Sequence, residues 1–308
     1  MLCSPENTIH LCEIDQLHLG TYYRKQQQFT TGPSRRVTQP KEIDYPIMQD
    51  DTYIFDRFSC ADCADRGQLD FDFSMAFQPI VDWEKQQIFG YEALVRGLNQ
   101  ESAGSVIARV NDDNRYLFDQ HCRTKAIALA AKLSLDSVLS INFLPNAVYK
   151  PERCIRTTLH AARKHNFPIG NILFEFTESE KIEDSCHIKD IVAYYKEQGF
   201  RTALDDFGAG YAGLGLLADF QTHFIKFDMH LIRNIDQTPV RQAIIRHCLN
   251  LLSELGITPL AEGVETINEL RWLADQGVSL MQGYLFAKPG FETLPSVDFE
   301  SLSNQLAQ

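Results

Sequence analysis

Residues 171–206 read NILFEFTESEKIEDSCHIKDIVAYYKEQGFRTALDD and spell out a strand–helix–strand unit. ILFEF is apolar but for Glu175, and RTALDD closes on the adjacent acids Asp205 and Asp206. Between them, Ile188, Ile191, Val192 and Tyr195 share one face of a helix expected over 185–198, which Gly199 stops. Parallel neighbours in a sheet need a crossover of this kind, and the helix covers the sheet face. The stretch therefore predicts an α/β fold.

Working outward, the same design recurs. Further short apolar runs end in a polar residue able to bind a metal or a phosphate: YEAL (Glu92), SINF (Asn142), FIKFD (Lys226, Asp228), PLAEG (Glu262) and LMQGY (Gln282). Strands are expected near 72–82, 87–95, 138–143, 171–176, 201–206, 223–228, 257–262 and 279–284. Helical spacing joins them. One helix is expected over 151–166 (Cys154, Ile155, Thr158, Leu159, Ala162), and another over 239–255, ended by Gly256. A capping box of Thr266 and Glu269 starts a third before Leu270, Leu273 and Gly277. Eight strands over about 235 residues match a (β/α)8 barrel in size. The link between the first two, DWEKQQ (82–87), is too short for a parallel crossover. The fold expected is α/β, a modified TIM (β/α)8 barrel with an antiparallel first strand.

The chain has 308 residues, 44% hydrophobic and 23% charged, an ordinary globular balance. Residues 1–67 are rich in Gln, Thr, Asp and Pro with little apolar periodicity, and read as a partly ordered extension to a barrel over 68–308. A formal net charge of −12 argues against a nucleic-acid polymer, whose backbone selects clustered Lys and Arg. No run approaches the roughly 20 apolar residues of a membrane span, and the N-terminus lacks the pattern of a secretory signal. The eight cysteines form no secreted-type framework. Cys122, Cys154, Cys186 and Cys248 fall inside expected elements, where free buried thiols are the usual state. A cytoplasmic setting fits. Cys60 and Cys63 form a lone C-x-x-C, and Cys3 and Cys12 stand too far apart for a normal zinc knuckle. The nine histidines show no ligand spacing.

In a parallel barrel the strand ends meet at one rim, where active sites collect. Glu92, Asn142, Glu175, Asp205, Asp206 and Glu262 would converge there. Five carboxylates so placed repel one another unless cations neutralise them. Oxygen-only donors suit Mg²⁺ or Mn²⁺. Neighbouring Asp205 and Asp206 would let one carboxylate bridge two ions, and two metals about 4 Å apart suit phosphoester hydrolysis. Lys226 adds a fixed positive charge. DDFGAGYAGLG (205–215) reads as a mobile glycine-rich loop over the site, with Glu178 placed to anchor it. Taken singly, Asp206 or Glu262 would more often cap a helix, Lys226 could pair with Asp228, and Glu178 or Glu265 could be caps. Seven polar strand ends together disfavour those readings for Asp206, Glu262 and Lys226, whereas for Glu178 and Glu265 capping, and for Asp228 pairing with Lys226, stands level with a site role.

These motifs resemble the EAL-domain phosphodiesterases of bacterial cyclic di-GMP signalling. Glu92-Ala93-Leu94 stands within YEALVRG, preceded by FQPIVD and followed in order by INFLP, FEFTES, DDFGAGY, IKFD, AEGVET and QGYLFAKP. The resemblance covers about residues 72–295. It implies hydrolysis of cyclic di-GMP to linear pGpG with two Mg²⁺ or Mn²⁺ ions per site. Glu92, Asn142, Glu175 and Asp205 would hold one ion; Asp205, Asp206 and Glu262 would hold or frame the second. Catalytic roles fall to Lys226, Glu262 and the loop-anchoring Glu178, leaving open whether Lys226, Glu262 or the metals provide the base. Gln78, Leu94, Arg96, Asp228 and Gln282 match substrate contacts, with Arg96 a phosphate clamp, and Glu265 matches a supporting glutamate. A homodimer through helices near the DDFGAGY loop is implied too. Two other readings stand beside this one: a catalytically silent cyclic di-GMP receptor or protein-interaction module, and a two-metal barrel hydrolase of another phosphoester.

Overall fold

A computed structural model describes residues 69–144, 148, 150–177, 185–210 and 213–307. The extension expected over 1–67 with its four cysteines, and Glu178, lie outside the described residues.

Eight strands close into a ring: β1 (Ser74–Asp82), β2 (Gln87–Arg96), β3 (Val138–Asn142), β4 (Ile172–Thr177), β5 (Arg201–Phe207), β6 (Phe224–Phe227), β7 (Thr258–Ala261) and β8 (Leu280–Gln282). From β2 to β8 each strand pairs in parallel with the next. β1 completes the ring by running antiparallel to both β2 and β8. The cause is the short link anticipated above. It turns tightly after Asp82, whose carboxylate accepts from the Lys85 amide at 3.2 Å and its ammonium at 2.6 Å. A two-residue β9 (Gly290–Phe291) adds antiparallel to β1 at Ala76 and Phe77. It was not anticipated, since two residues are too few to display a period.

The helices are α1 (Ala103–Ile107), α2 (Arg115–Lys132), α3 (Pro151–Cys154), α4 (Arg156–Lys164), α5 (Ser185–Glu197), α6 (Gly213–Asp219), α7 (Met229–Ile232), α8 (Pro239–Leu255), α9 (Ile267–Asp275) and α10 (Phe299–Leu306). In α5, Ile188, Ile191, Val192 and Tyr195 are all buried, as their spacing requires. Gly199 and Gly256 take positive φ just past α5 and α8, a conformation that glycine adopts without a Cβ penalty. The capping box of Thr266 and Glu269 opens α9.

Two expectations need correction. The single helix over 151–166 is two, α3 and α4, interrupted at Ile155. The break is slight: the Ile155 amide still bonds the Pro151 carbonyl at 3.1 Å, and its carbonyl accepts from the Leu159 amide at 2.9 Å. The glycine-rich stretch 205–215 is not all loop, because β5 runs through Phe207 and α6 begins at Gly213.

The core has two layers. Between strands and helices lies a large shell that includes Phe73, Phe77, Phe174, Phe176, Tyr195 and Leu270. Inside the barrel, Ile80, Val138, Leu173, Ala203, Phe224, Leu260 and Leu280 form a separate apolar floor. Side chains alternate across a strand, so the residue two places beyond each floor residue shares its face. For Leu173, Ala203, Phe224, Leu260 and Leu280 that residue is Glu175, Asp205, Lys226, Glu262 and Gln282. On the antiparallel β1, the count runs backwards from Ile80 to Gln78. The floor thus sets a polar layer above itself.

Candidate metal centre

At the centre of this layer is Lys226, fully buried on β6. Its Nζ lies 2.6 Å from Glu262 Oε1, 3.0 Å from Glu175 Oε2, 3.1 Å from Asp205 Oδ1 and 3.6 Å from Glu92 Oε2. One ammonium among four carboxylates leaves a strong negative excess away from water. Burial depresses the ammonium's basicity, but the ring of acids, Asp205 and Glu175 foremost, outweighs it and holds the Lys226 pKa well above its usual range.

The carboxylates differ. Glu92 Oε1 accepts from Asn142 Nδ2, and its Oε2 from Gln282 Nε2, both at 2.7 Å. Burial pushes Glu92 up, yet Lys226 and these donors prevail and its pKa lies below the ordinary value. Glu175 is held by the Ser140 hydroxyl and by Lys226. Burial raises it to about 8 against the pull of Lys226, with Glu92 and Asp205 pushing the same way. Burial and then Asp205 drive Glu262 well above its usual value, and the same two causes raise Asp206 to about 6.

Two trios of carboxylates bring oxygen atoms within 4.8 Å of one another: Glu92, Glu175 and Asp205, and Asp205, Asp206 and Glu262. Asp205 belongs to both. On a regular strand, Asp205 and Asp206 would face opposite ways. Here the β5–β6 register shifts between Leu204 and Phe207, and Asp206 takes a left-handed φ of 55°. That bulge turns both acids toward the rim. Gln282 Oε1 is buried without a hydrogen-bond partner, and Asp205 Oδ1, equally buried, has the Lys226 ammonium beside it at 3.1 Å. An orphaned buried oxygen on Gln282, an acidic excess and an all-oxygen donor set fit a hard divalent cation.

The other sequence-derived positions fall as follows. Gln78 is buried, donating to the Ala287 carbonyl at 3.2 Å and accepting from Gln282 at 3.3 Å. Leu94 and Arg96 are half-buried on β2, where the Arg96 guanidinium bonds the Val95 carbonyl. Glu92 does not end its strand: β2 continues to Arg96 because its antiparallel partner β1 extends alongside it. Asp228 does not pair with Lys226. β6 stops at Phe227, and Asp228 caps α7, accepting from the His230 amide at 2.7 Å and facing the His230 ring at 2.6 Å. Glu265 stands apart from the cluster in an exposed ion pair with Arg233 at 2.6 Å. Ser140, a partner of Glu175, was missed in the sequence. The signal was its place two residues before Asn142, on the inward face of β3.

The chain leaving β8 is tightly seated. A Cβ on Gly283 would lie 2.0 Å from the Val264 carbonyl oxygen, so the chain just after Gln282 passes a neighbouring backbone closely.

The EAL domain family model matches residues 66–289. A standalone versatile EAL protein from Vibrio cholerae O395, solved in its c-di-GMP bound form, is 69% identical, with 77% of this chain and 99% of that one covered and a TM-score of 0.75. A manganese/cy-diGMP complex of BlrP1 from Klebsiella pneumoniae is 35% identical, with coverage of 73% and 57% and a TM-score of 0.68. The cyclic di-GMP phosphodiesterase PdeR of Escherichia coli (strain K12) is 37% identical over 135 residues, 44% of this chain and 20% of PdeR. The chain spans about half the length, or less, of the curated relatives it matches. It covers 55% of the blue light- and temperature-regulated antirepressor BluF of Escherichia coli (strain K12), at 34% identity over 223 residues and 72% of this chain.

Proposed function

The chain belongs to the EAL domain family, and on that premise we propose that it hydrolyses one phosphodiester of cyclic di-GMP, giving linear pGpG, with two Mg²⁺ or Mn²⁺ ions. The observation that carries this reading is the pair of carboxylate trios hinged on Asp205 beside a buried lysine. Glu92, Asn142, Glu175 and Asp205 would hold one ion; Asp205, Asp206 and Glu262 the other. A bound cation pair supplies neutralisation of the acids and stabilisation of the attacking and leaving oxygens.

The chain's own groups do the rest. Lys226, pinned between Glu175, Asp205 and Glu262, keeps a positive charge fixed beside the reacting phosphate. Glu262 is the least buried of the four carboxylates facing Lys226, its side chain 17% exposed, which leaves it open to a water whose proton it can take. Arg96 at the end of β2 clamps a phosphate oxygen, and Leu94 lines the entrance. Gln78 and Gln282 meet the substrate at the β1–β8 seam, and Asp228 from the α7 cap. Glu178 anchors the loop after β5. Two copies associate through the helices near that loop, where Leu214, Val240 and Ile244 are exposed. Residues 1–67 form an extension to the barrel at 68–308, and the protein works in the cytoplasm. The relatives named as cyclic di-GMP phosphodiesterases and the nucleotide-bound structures support this reading.

The name antirepressor on one relative favours a second reading, a catalytically silent receptor or protein-interaction module. Incubating the full chain with cyclic di-GMP and Mn²⁺, and following products by chromatography, separates them. pGpG is expected. Loss of a ligand in Glu92→Ala or Asp205→Ala should lower turnover by more than about a hundredfold. Nucleotide bound but unchanged by the parent protein would leave the silent receptor standing.

A further inference from the structure

Directly behind the first trio, a buried ionic network joins three elements that neither the proposed chemistry nor the substrate contacts use. Asp119 and Arg123 on α2 are 2% and 0% exposed and form an ion pair one helical turn apart. The second oxygen of Asp119, Oδ1, reaches across to the loop after β3 and accepts from the Leu144 amide at 3.1 Å. Leu144 stands two residues beyond Asn142, whose amide group holds Glu92. Arg123 continues the chain of contacts. Its Nη1 donates to the hydroxyl of Tyr195 on α5 at 3.4 Å, and its guanidinium lies 5.9 Å from the ring centroid of Phe174, the neighbour of Glu175. Tyr195 in turn packs on Phe174 at 5.1 Å and on Phe143 at 5.7 Å, while the Phe143 amide bonds the Glu175 carbonyl at 3.0 Å.

A buried ion pair is a poor source of stability, because desolvation consumes most of the Coulombic gain and an apolar pair of similar volume does as well. What an apolar pair cannot do is accept a hydrogen bond from a loop amide. We infer that Asp119 is a positioning residue for the metal centre: oriented by Arg123, it pins the Leu144 amide and so fixes where Asn142 and the end of β3 present their donors. The inference rests on the two-metal reading of the site. Groups behind a metal's ligands orient those ligands, and their loss costs roughly ten- to a hundredfold in affinity.

Two full-length double variants isolate the effect. Asp119→Leu with Arg123→Met removes the charges and the acceptor. Asp119→Asn with Arg123→Met removes the charges but keeps an oxygen for the Leu144 amide. Calorimetric titration with Mn²⁺, without nucleotide, should show the leucine variant binding about ten- to a hundredfold more weakly than the parent and the asparagine variant within about threefold of it. The leucine variant should melt lower than the asparagine variant, because its Leu144 amide is left without an acceptor. Equal Mn²⁺ affinity in the two variants would overturn the inference while leaving the metal reading intact. A parent protein that takes up no Mn²⁺ would overturn both. Should the leucine variant not fold, hydrogen exchange of the parent decides. The Leu144 amide should be protected and become more so with Mn²⁺; rapid exchange there would overturn the inference.

Discussion

At the scale of single residues, the chemistry turns on which carboxylates carry protons. Glu175 is raised to about 8 and Asp206 to about 6, in both cases by burial first and neighbouring acids second. A divalent cation binds the ionised forms, so loading must expel whatever protons remain. Mn²⁺ affinity is therefore expected to rise from about pH 6 to beyond about pH 8, with protons released near neutrality. Calorimetry in two buffers of different ionisation enthalpy measures both. The same shift acts on folding. A carboxyl raised from 4.5 to about 8 gives a contribution fully present below 4.5 and lost as pH rises through about 8, so the cation-free protein should melt progressively lower across that window. Most of these acids were legible in the sequence because each sits two places beyond an apolar floor residue. The turn that lets Asp205 and Asp206 face the same way was not. Strand alternation predicts the opposite, and only the tolerance of aspartate for left-handed backbone hints at the bulge. The alternative pairing of Asp228 with Lys226 fails because the alternation that would have aimed Asp228 inward stops with the strand at Phe227.

At the scale of elements, the loops after β6 and β7 are bound by one side chain. Glu269, fully buried, closes the capping box of α9 and also accepts from the Asn234 amide at 2.7 Å and the Glu265 amide at 2.9 Å. Asn234 holds a left-handed φ of 53°, which that bond helps secure. Glu269→Ala strands these donors and should destabilise the protein by about 3 kcal/mol, read from urea unfolding with an unchanged slope. The box was readable from Thr266 and Glu269 in the right spacing. Its reach to Asn234, 35 residues away, was not, because nothing local marks a long-range acceptor. Strand positions were legible throughout the ring for the converse reason: apolar runs of alternating face, stopped by glycine or acid, are local signals. The interruption at Ile155 is nearly invisible in sequence because hydrogen bonds span it.

At the scale of the whole molecule, Val240 on α8 is 69% exposed and Leu214 on α6 is 65% exposed. If these helices join two copies, Val240→Glu should shift the sedimentation coefficient from dimer to monomer and make melting independent of protein concentration, while the monomer's own stability stays within about 0.5 kcal/mol of the parent's. The antiparallel β1 carries a different consequence. The ring is sealed where β1 meets β8, and the Gln78–Gln282 hydrogen bond across that seam joins residues 204 positions apart. During synthesis, then, the first hairpin must wait for nearly the whole barrel to emerge from the ribosome. Until it does, the nascent chain carries an open sheet whose two unpaired rims invite sticking to other chains. Speed of translation through the codons of β6 to β8, and chaperones that shield those rims, would thus govern how much active protein a cell recovers.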